Sequence, residues 1–145
     1  MNKIQKITAC IFLHKDGKIF LAKRSNTKTL FPGQFEVPGG HIEFGETLEE
    51  GLKREIQEEL DIEIQLGEIF NAFTYLSYNN TAHSVEVDYL ATMKDPSQEI
   101  KLNREDHTEY KWVTQKQAQE ILRDNLEVLK AINKAFKLLP TRKII

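Results

Sequence analysis

The amino-acid sequence predicts an α+β or mixed α/β fold, in which helices cover a β-sheet. Segments with strand-like patterns lie on both sides of one capped helical segment at 48–60, and one or two further helical segments end the chain. The 145 residues suit a single domain spanning 1–145, because a chain of this length can bury a substantial core. The order of elements therefore favours one sheet with helices packed against it.

Composition argues against several function classes. The chain has 20 basic and 22 acidic residues and a formal net charge of −2, so it shows no basic excess for binding a nucleic-acid polymer. Its apolar runs are too short to span a membrane. The N-terminus lacks the long apolar segment of a signal peptide, and the one cysteine, Cys10, permits no internal disulfide. We therefore expect a cytoplasmic protein, with Cys10 buried in an apolar strand.

The first two strands are predicted to form a hairpin. Asp16-Gly17 separates the apolar runs 4–13 and 18–24, and Asp-Gly between such runs is typical of a tight turn. The run 4–13 is apolar on both faces, which predicts a central strand.

A polar loop then leads to a pair of glycines. The loop closes with Pro32-Gly33, which fits a type II turn, and the strand 35–37 follows it. Gly39-Gly40 ends this strand in the predicted arrangement. Glycine has no Cβ, so the backbone there can approach a ligand closely.

The best-defined helix is predicted over 48–60. Thr47 and Glu50 form a T-x-x-E capping box, which indicates a helix that starts at Leu48. Apolar residues recur at every fourth position and predict one stripe that faces the core. The residues of this stripe are Leu48, Leu52, Ile56 and Leu60.

Three glutamates on this helix, Glu55, Glu58 and Glu59, are spaced i, i+3, i+4 and share a face beside the apolar stripe. Crowded carboxylates repel one another, so the pKa of one should rise unless a cation intervenes. Divalent cations such as Mg²⁺ or Mn²⁺ prefer oxygen donors of this kind. Taken alone, such a face is also compatible with solvated surface.

The stretch from Gly40 to Ile62 resembles the signature of the Nudix hydrolase family. That signature has a glycine, a glutamate six positions later, an arginine–glutamate pair, and two adjacent glutamates among aliphatic residues. Every position but one matches, because Asp61 stands where the family has glycine. The matching residues are Gly40, Glu46, Arg54, Glu55, Ile56, Glu58, Glu59 and Ile62.

The resemblance implies a curved mixed β-sheet sandwiched between α-helices and hydrolysis of a diphosphate bond with Mg²⁺ or Mn²⁺. By the same resemblance, Glu58 and Glu59 are the principal metal ligands. Glu55 shares the metal or accepts the proton of the attacking water, and the backbone carbonyl of Gly39 completes the ligand set. Arg54 pairs with a neighbouring carboxylate and orients it.

Substrate contacts are expected on the strands before the helix. Arg24 matches by position a phosphate-contacting arginine of the family, and an exposed basic strand end is the alternative interpretation. Gly39 and Gly40 are placed next to the substrate. Phe35 is a candidate for stacking on a base, and a core role is an equal alternative.

The second half of the chain predicts strands at 62–66, 70–78, 85–93 and 110–113. The polar loop 103–109 supplies Glu105 or Glu109 as a further metal ligand or catalytic base by resemblance, or is solvated. Trp112 is assigned to packing.

Two helices are predicted to close the fold by packing on the sheet. Thr114 caps the first, and Asp124 or Asn125 starts the second. The tail after Pro140 is predicted to fray. The apolar stripe of the second helix is Leu126, Leu129, Ile132 and Phe136.

The predicted substrate is a small-molecule nucleotide, most simply a nucleoside triphosphate, including oxidised purine forms, cleaved to nucleoside monophosphate and pyrophosphate. A nucleotide-sugar diphosphatase of the ADP-ribose type and a non-catalytic nucleotide sensor are the alternatives. Isopentenyl diphosphate isomerisation, found on the same fold, uses a pocket cysteine whose motif context Cys10 does not match. The sequence leaves monomer and homodimer open.

Overall fold

The computed structural model describes residues 2–140 and contains one seven-stranded β-sheet. The order of strands across the sheet is β3-β2-β1-β6-β5, with β4 paired to β1 and β7 paired to β2. The pair β1–β6 is parallel and the other pairs are antiparallel, so the mixed sheet with flanking helices is confirmed. The strands are β1 (Ile4–Lys15), β2 (Lys18–Arg24), β3 (Phe35–Glu36), β4 (Gly39–His41), β5 (Ile64–Ser77), β6 (Ala82–Met93) and β7 (His107–Val113). The helices are α1 (Leu48–Leu60), α2 (Gln115–Ile121) and α3 (Leu126–Leu138).

Strand β1 is central, as its two apolar faces predict. Ala9, Ile11 and Leu13 belong to the core cluster that also contains the buried face of α1. Cys10 and Phe12 point to the opposite cluster, which contains residues of α2 and α3. The sheet therefore separates two cores, and α1 lies on the opposite side from the two C-terminal helices.

The hairpin between β1 and β2 is confirmed in detail. Asp16 has φ 53° and Gly17 has φ 77°, so both central residues occupy the left-handed region that a two-residue hairpin turn requires. Gly33 has φ 73°, and the Gln34 N–H bonds to the Phe31 carbonyl, as a type II turn at Pro32-Gly33 requires.

Two strand predictions were wrong in extent. Gly67 does not end a strand: β5 runs through it, and the pairing with β6 shifts register on both sides of Ile69. Such an irregularity absorbs the glycine without breaking the ladder. Strand β7 starts at His107, not at 110, because His107 is buried and paired with Arg24 at the end of β2.

The apolar stripe of α3 was predicted only in part. Ile132 is fully buried, but Leu126 is 65% exposed. At 100° per residue, Leu126 lies about 120° around the helix from Ile132, on the side away from Ala131 and Ala135, which are buried. Asn125 is the N-cap, and its side chain accepts a hydrogen bond from the Val128 N–H. The predicted fraying tail, 141–145, lies outside the described residues.

The helices between residues 2 and 140 are all too short or too polar to cross a membrane.

Candidate active site

Helix α1 begins and ends as its sequence predicts. The Glu50 N–H donates to Thr47 Oγ1 and the Thr47 N–H donates to Glu50 Oε2, both at 3.1 Å, which completes the capping box. Asp61 forms the left-handed C-cap with φ 55°, and its N–H donates to the Gln57 carbonyl. The two caps fix the ends of the helix, and the three glutamates lie in its C-terminal half.

Glu59 is the most buried of these glutamates, with 8% of its surface exposed. The Gly39 backbone N–H donates a hydrogen bond to its carboxylate, but Glu59 Oε2 has no protein partner among the described residues. Burial raises the pKa of Glu59 well above its usual value, and the charges of Glu36, Glu55 and Asp106 raise it further. A raised pKa is therefore present at Glu59, and burial contributes more to it than the repulsion between carboxylates that the sequence suggested.

Glu55 and Glu58 lie progressively nearer to solvent. Burial raises the pKa of Glu55, and the Arg54 guanidinium, 3.1 Å from Glu55 Oε1, partly offsets that rise. The Glu58 side chain is 56% exposed and lies 3.4 Å from Arg54 Nη1. One helix face thus presents carboxylates at three depths.

Arg54 connects these acids to the loop before the helix. Its Nε donates to Glu46 Oε2 at 2.8 Å and its Nη2 donates to Glu46 Oε1 at 2.9 Å, a bidentate pair. These bonds lower the pKa of Glu46 to about 2. Nη2 also donates to the His41 carbonyl on β4. Arg54 therefore pairs with a neighbouring carboxylate, as expected, and ties α1 to β4.

The two glycines of β4 lie so close to Glu55 and to strand β1 that a side chain at either position would collide with them. A Cβ on Gly40 would lie 2.5 Å from Glu55 Cδ, and a Cβ on Gly39 would lie 2.2 Å from the Ala9 carbonyl oxygen. Gly39 and Gly40 pair with Cys10 and Ala9 on β1. They do not end an extended segment as the sequence suggested, because they form the strand β4.

A second group of charged residues joins the site from β2, β3 and the start of β7. Arg24 Nη1 donates to both carboxylate oxygens of Glu36 at 3.1 Å, and Arg24 Nε donates to the Leu30 carbonyl. The ring Nε2 of buried His107 lies 2.8 Å from Glu36 Oε2. Glu36 therefore holds Arg24, the expected phosphate contact, and its negative charge also acts on Glu59 of α1.

The sequence analysis did not select Glu36, and in the 103–109 loop it selected Glu105 or Glu109 instead of Asp106. Asp106 Oδ1 accepts from Lys28 Nζ at 2.6 Å, and its charge raises the pKa of both Glu55 and Glu59. Neither residue belongs to the signature. Their one sequence signal is position, since Glu36 sits in the strand before the glycine pair and Asp106 lies between the two acids that were selected.

The remaining candidates lie further out. Glu105 is exposed in the loop, and Glu109, half exposed, lies 3.9 Å from Lys23 Nζ. Phe35 packs against the core cluster of α2 and α3, and Lys111 Nζ lies 5.3 Å from the centre of its ring. Their roles as metal ligand, base and stacking residue stay predictions.

The carboxylates around Glu59 fit a hard divalent cation. The charges of Glu36, Glu55 and Asp106 all act on Glu59, and the buried Oε2 of Glu59 has no protein donor among residues 2–140. A buried anion is stable only when a cation or hydrogen bonds compensate it. Oxygen donors of this charge suit Mg²⁺ or Mn²⁺.

The fold is a mixed sheet with flanking helices, and the carboxylates of α1 lie beside the glycine-containing strand β4. A family model, the NUDIX domain, matches residues 3–133, and the chain belongs to this family. Nucleoside triphosphatase NudI of Escherichia coli is 42% identical over 65 residues, which are 45% of this chain and 46% of that relative. The match thus spans about half the length of that relative.

Solved structures show the same fold. A MutT NUDIX hydrolase from Burkholderia pseudomallei aligns with a TM-score of 0.70 and 25% identity, covering 79% of this chain and 86% of that chain. A NUDIX hydrolase from Nitrosomonas europaea aligns with a TM-score of 0.74 and 15% identity, covering 96% of this chain and 98% of that chain.

Proposed function

We propose that this chain hydrolyses a phosphoanhydride bond of a nucleoside triphosphate, with Mg²⁺ or Mn²⁺, and releases nucleoside monophosphate and pyrophosphate. The observation that carries the proposal is the buried Glu59 carboxylate, whose Oε2 has no donor among residues 2–140 and on which the charges of Glu36, Glu55 and Asp106 act. Such a group of acids is costly in a fold unless it serves a cation.

The cation would be held by Glu58 and Glu59, with the Gly39 carbonyl as a further ligand, and Glu55 would either share the cation or accept the proton of the attacking water. A divalent ion neutralises diphosphate charge and lowers the pKa of water, which is the chemistry it supplies in such hydrolases. The protein's own contribution is to hold Glu55 in place. Arg54 donates to Glu46 and to the His41 carbonyl, which fix its position, and it also donates to Glu55.

Glu55 is the best-placed group to accept the proton of the attacking water. It is half-buried with a raised pKa, so its carboxylate is more basic than that of a solvated glutamate. Glu105 and Glu109 are the alternative bases, and both are exposed.

Arg24 is proposed to contact the phosphate chain. Its guanidinium is held by the Glu36 carboxylate and the Leu30 carbonyl, and the charge of Glu36 also acts on Glu59 of α1. A planar guanidinium binds phosphate oxygens with defined geometry. The backbone of Gly39 and Gly40 and the ring of Phe35 are proposed as further substrate contacts.

A triphosphate is favoured over a nucleotide sugar because the relative NudI is named a nucleoside triphosphatase. We propose a cytoplasmic protein, monomer or homodimer, with neither a nucleic-acid polymer nor a membrane as its partner.

The test is a panel of nucleoside triphosphates, oxidised purine triphosphates and nucleotide sugars, incubated with Mg²⁺ and analysed by mass spectrometry. We expect Glu59→Gln to lower kcat by about 10²–10³, the scale of one lost electrostatic stabiliser. Glu55→Gln should lower kcat by about 10²–10⁴ if Glu55 is the base.

Matched variants distinguish the alternatives. Glu49→Gln, on the same helix but paired with Lys53 at the surface, should keep full activity. A larger fall in Glu105→Gln or Glu109→Gln would place the base at Glu105 in the loop or at Glu109 on β7. Products confined to the nucleotide-sugar reactions would select the diphosphatase alternative. Binding without turnover of any panel member would indicate a sensor, and release of inorganic phosphate alone would contradict the mechanism.

A further inference from the structure

Three potential metal ligands meet on the sheet outside α1. Cys10 on β1 and Asp88 on β6 are directly paired in the parallel ladder, and Glu86 precedes Asp88 by two residues. Side chains two residues apart on a strand lie on the same face, so all three point to one side of the sheet. Cys10 Sγ and one carboxylate oxygen from each acid all lie within 4.8 Å of one another.

Glu86 is hydrogen-bonded to Asp88 and to Cys10, but one buried oxygen of Asp88 has no donor when both acids are ionised. Asp88 is fully buried, and Asn71 Nδ2 donates to its Oδ2 at 2.9 Å. Its Oδ1 is buried and has no partner among residues 2–140. An unpartnered carboxylate oxygen at this depth is costly, so either a proton or a cation must compensate it.

The ligand set selects the kind of cation. One sulfur and two carboxylate oxygens suit a borderline transition ion such as Zn²⁺ or Co²⁺, which binds thiolate at four-coordinate sites. Mg²⁺ prefers oxygen ligands alone and has little affinity for sulfur. Three protein ligands leave one coordination position for water.

We propose that Cys10, Glu86 and Asp88 bind a divalent transition ion of the zinc class, separate from the Mg²⁺ or Mn²⁺ held by α1. None of the three ligands belongs to α1 or to the signature. The negative charges of Glu36 and Glu59 act on Cys10 as well, so the surroundings attract a cation.

The proposed ion lies one strand pair away from the acids of α1. Cys10 is the ladder partner of Gly39, whose N–H bonds to the Glu59 carboxylate. A ligand that binds only the folded state stabilises it by mass action. The ion should therefore stabilise the pairing of β1 with β6, and β4 in turn pairs with β1.

The competing state is a metal-free pair in which Glu86 and Asp88 share a proton. Burial and the neighbouring Asp88 raise the pKa of Glu86 to about 9, which is compatible with such a pair. A metal-titration spectrum distinguishes the two states, because a shared proton produces no sulfur–metal absorption.

The experiment titrates Co²⁺ into chelator-treated, reduced protein that contains saturating Mg²⁺. Because Cys10 is the only cysteine of the chain, a thiolate-to-cobalt charge-transfer band in the near ultraviolet reports this site alone. We expect a band that saturates at about one Co²⁺ per chain, disappears on addition of Zn²⁺ and resists excess Mg²⁺. This readout is independent of nucleotide hydrolysis, so its failure would leave the proposed function untouched.

Matched variants assign the ligands. Cys10→Ser should abolish the band, and Glu86→Gln should weaken Co²⁺ binding at least about tenfold, the lower end of the losses known for supporting groups at metal sites. Glu68→Gln, an exposed glutamate on β5, and Glu58→Gln on α1 should keep both the band and the affinity.

The absence of a band in wild-type protein at saturating Co²⁺ would overturn the proposal. So would unchanged affinity in Glu86→Gln, or displacement of Co²⁺ by Mg²⁺. Because the wild-type spectrum and the Zn²⁺ competition need no variant, the proposal stays falsifiable even if Cys10→Ser fails to fold.

Discussion

Replacing each glycine of β4 by alanine should separate activity from stability. The three atoms nearest to a Cβ on Gly40 would all belong to the flexible Glu55 carboxylate, with Glu55 Cδ and Oε2 both at 2.5 Å. Ordinary van der Waals contact begins at 3.4 Å, so the carboxylate must move by about 1 Å. Because misplacement of a catalytic group by about 1 Å can cost 10²-fold, we expect kcat/KM of Gly40→Ala to fall by about 10².

The effect of Gly40→Ala on folding should be small. The far end of a glutamate can rotate away, so we expect the free energy of unfolding to fall by about 1 kcal/mol, the low end for overpacking. A 10²-fold loss of kcat/KM corresponds to about 2.7 kcal/mol of transition-state stabilisation. The loss of catalysis should thus exceed the loss of stability.

Gly39→Ala should behave in the opposite way. Its Cβ would lie 2.2 Å from the Ala9 carbonyl oxygen and 2.7 Å from Cys10 Cα, and φ at Gly39 is +156°. These are backbone contacts, so relief requires β4 to move away from β1. Overpacking and backbone strain together should lower the free energy of unfolding by roughly 2–6 kcal/mol.

Urea unfolding followed by circular dichroism and kcat/KM with Mg²⁺ measure both effects. Gly45→Ala is the control, because its Cβ would meet nothing within 4 Å although φ is +88°. It should lose about 1 kcal/mol of stability and no activity. Wild-type kcat/KM in a folded Gly40→Ala variant would refute the importance of the position of Glu55. Equal destabilisation by Gly39→Ala and Gly40→Ala would refute the distinction between backbone and side-chain contacts.

Three further predictions concern caps, metal and pH. Asp61→Gly should keep activity and raise the free energy of unfolding by about 1 kcal/mol or less, since glycine suits φ 55° better; lost metal affinity would instead make Asp61 a ligand. Millimolar Mg²⁺ should raise Tm through binding to the folded state, and combining Glu58→Gln with Glu59→Gln should remove most of that rise; an unchanged response would place the ion elsewhere. In chelator, the pKa of Glu86 is about 9 in the folded chain, above its ordinary value of 4.5, so between these pH values the folded chain keeps a proton that the unfolded chain has lost. The free energy of unfolding should therefore fall as the pH rises through this window, by at most about 1.4 kcal/mol per pH unit. Glu86→Gln should reduce that slope in urea unfolding series at several pH values, and equal slopes in both proteins would contradict the assignment.

The sequence by itself determined the features that depend on neighbours within one turn. The capping box of Thr47 and Glu50 and the hairpin at Asp16-Gly17 were both predicted. Each rests on contacts between residues at most four positions apart, so local chemistry suffices to specify them. The Nudix signature was recognised because it is one continuous stretch of chain, which runs from Gly40 on β4 through a loop and α1 to Ile62.

Only the tertiary structure decided how these residues are used. Glu58 and Glu59 are adjacent in sequence, yet one is exposed and the other is buried against Gly39, because β4 covers a single side of α1. Strand pairing, not spacing, brings Glu36 and Asp106 to the same acids.

The cluster of Cys10, Glu86 and Asp88 also depends on long-range pairing. It exists because β1 and β6 run parallel in one register, and a shift by one residue would turn Glu86 and Asp88 to the opposite face. Register in a parallel pair is set by how both faces of the sheet are buried, which involves α1 on one side and α3 on the other. The paired residues Cys10 and Asp88 are 78 positions apart in the chain (88 − 10), so no local pattern could have placed the three side chains together.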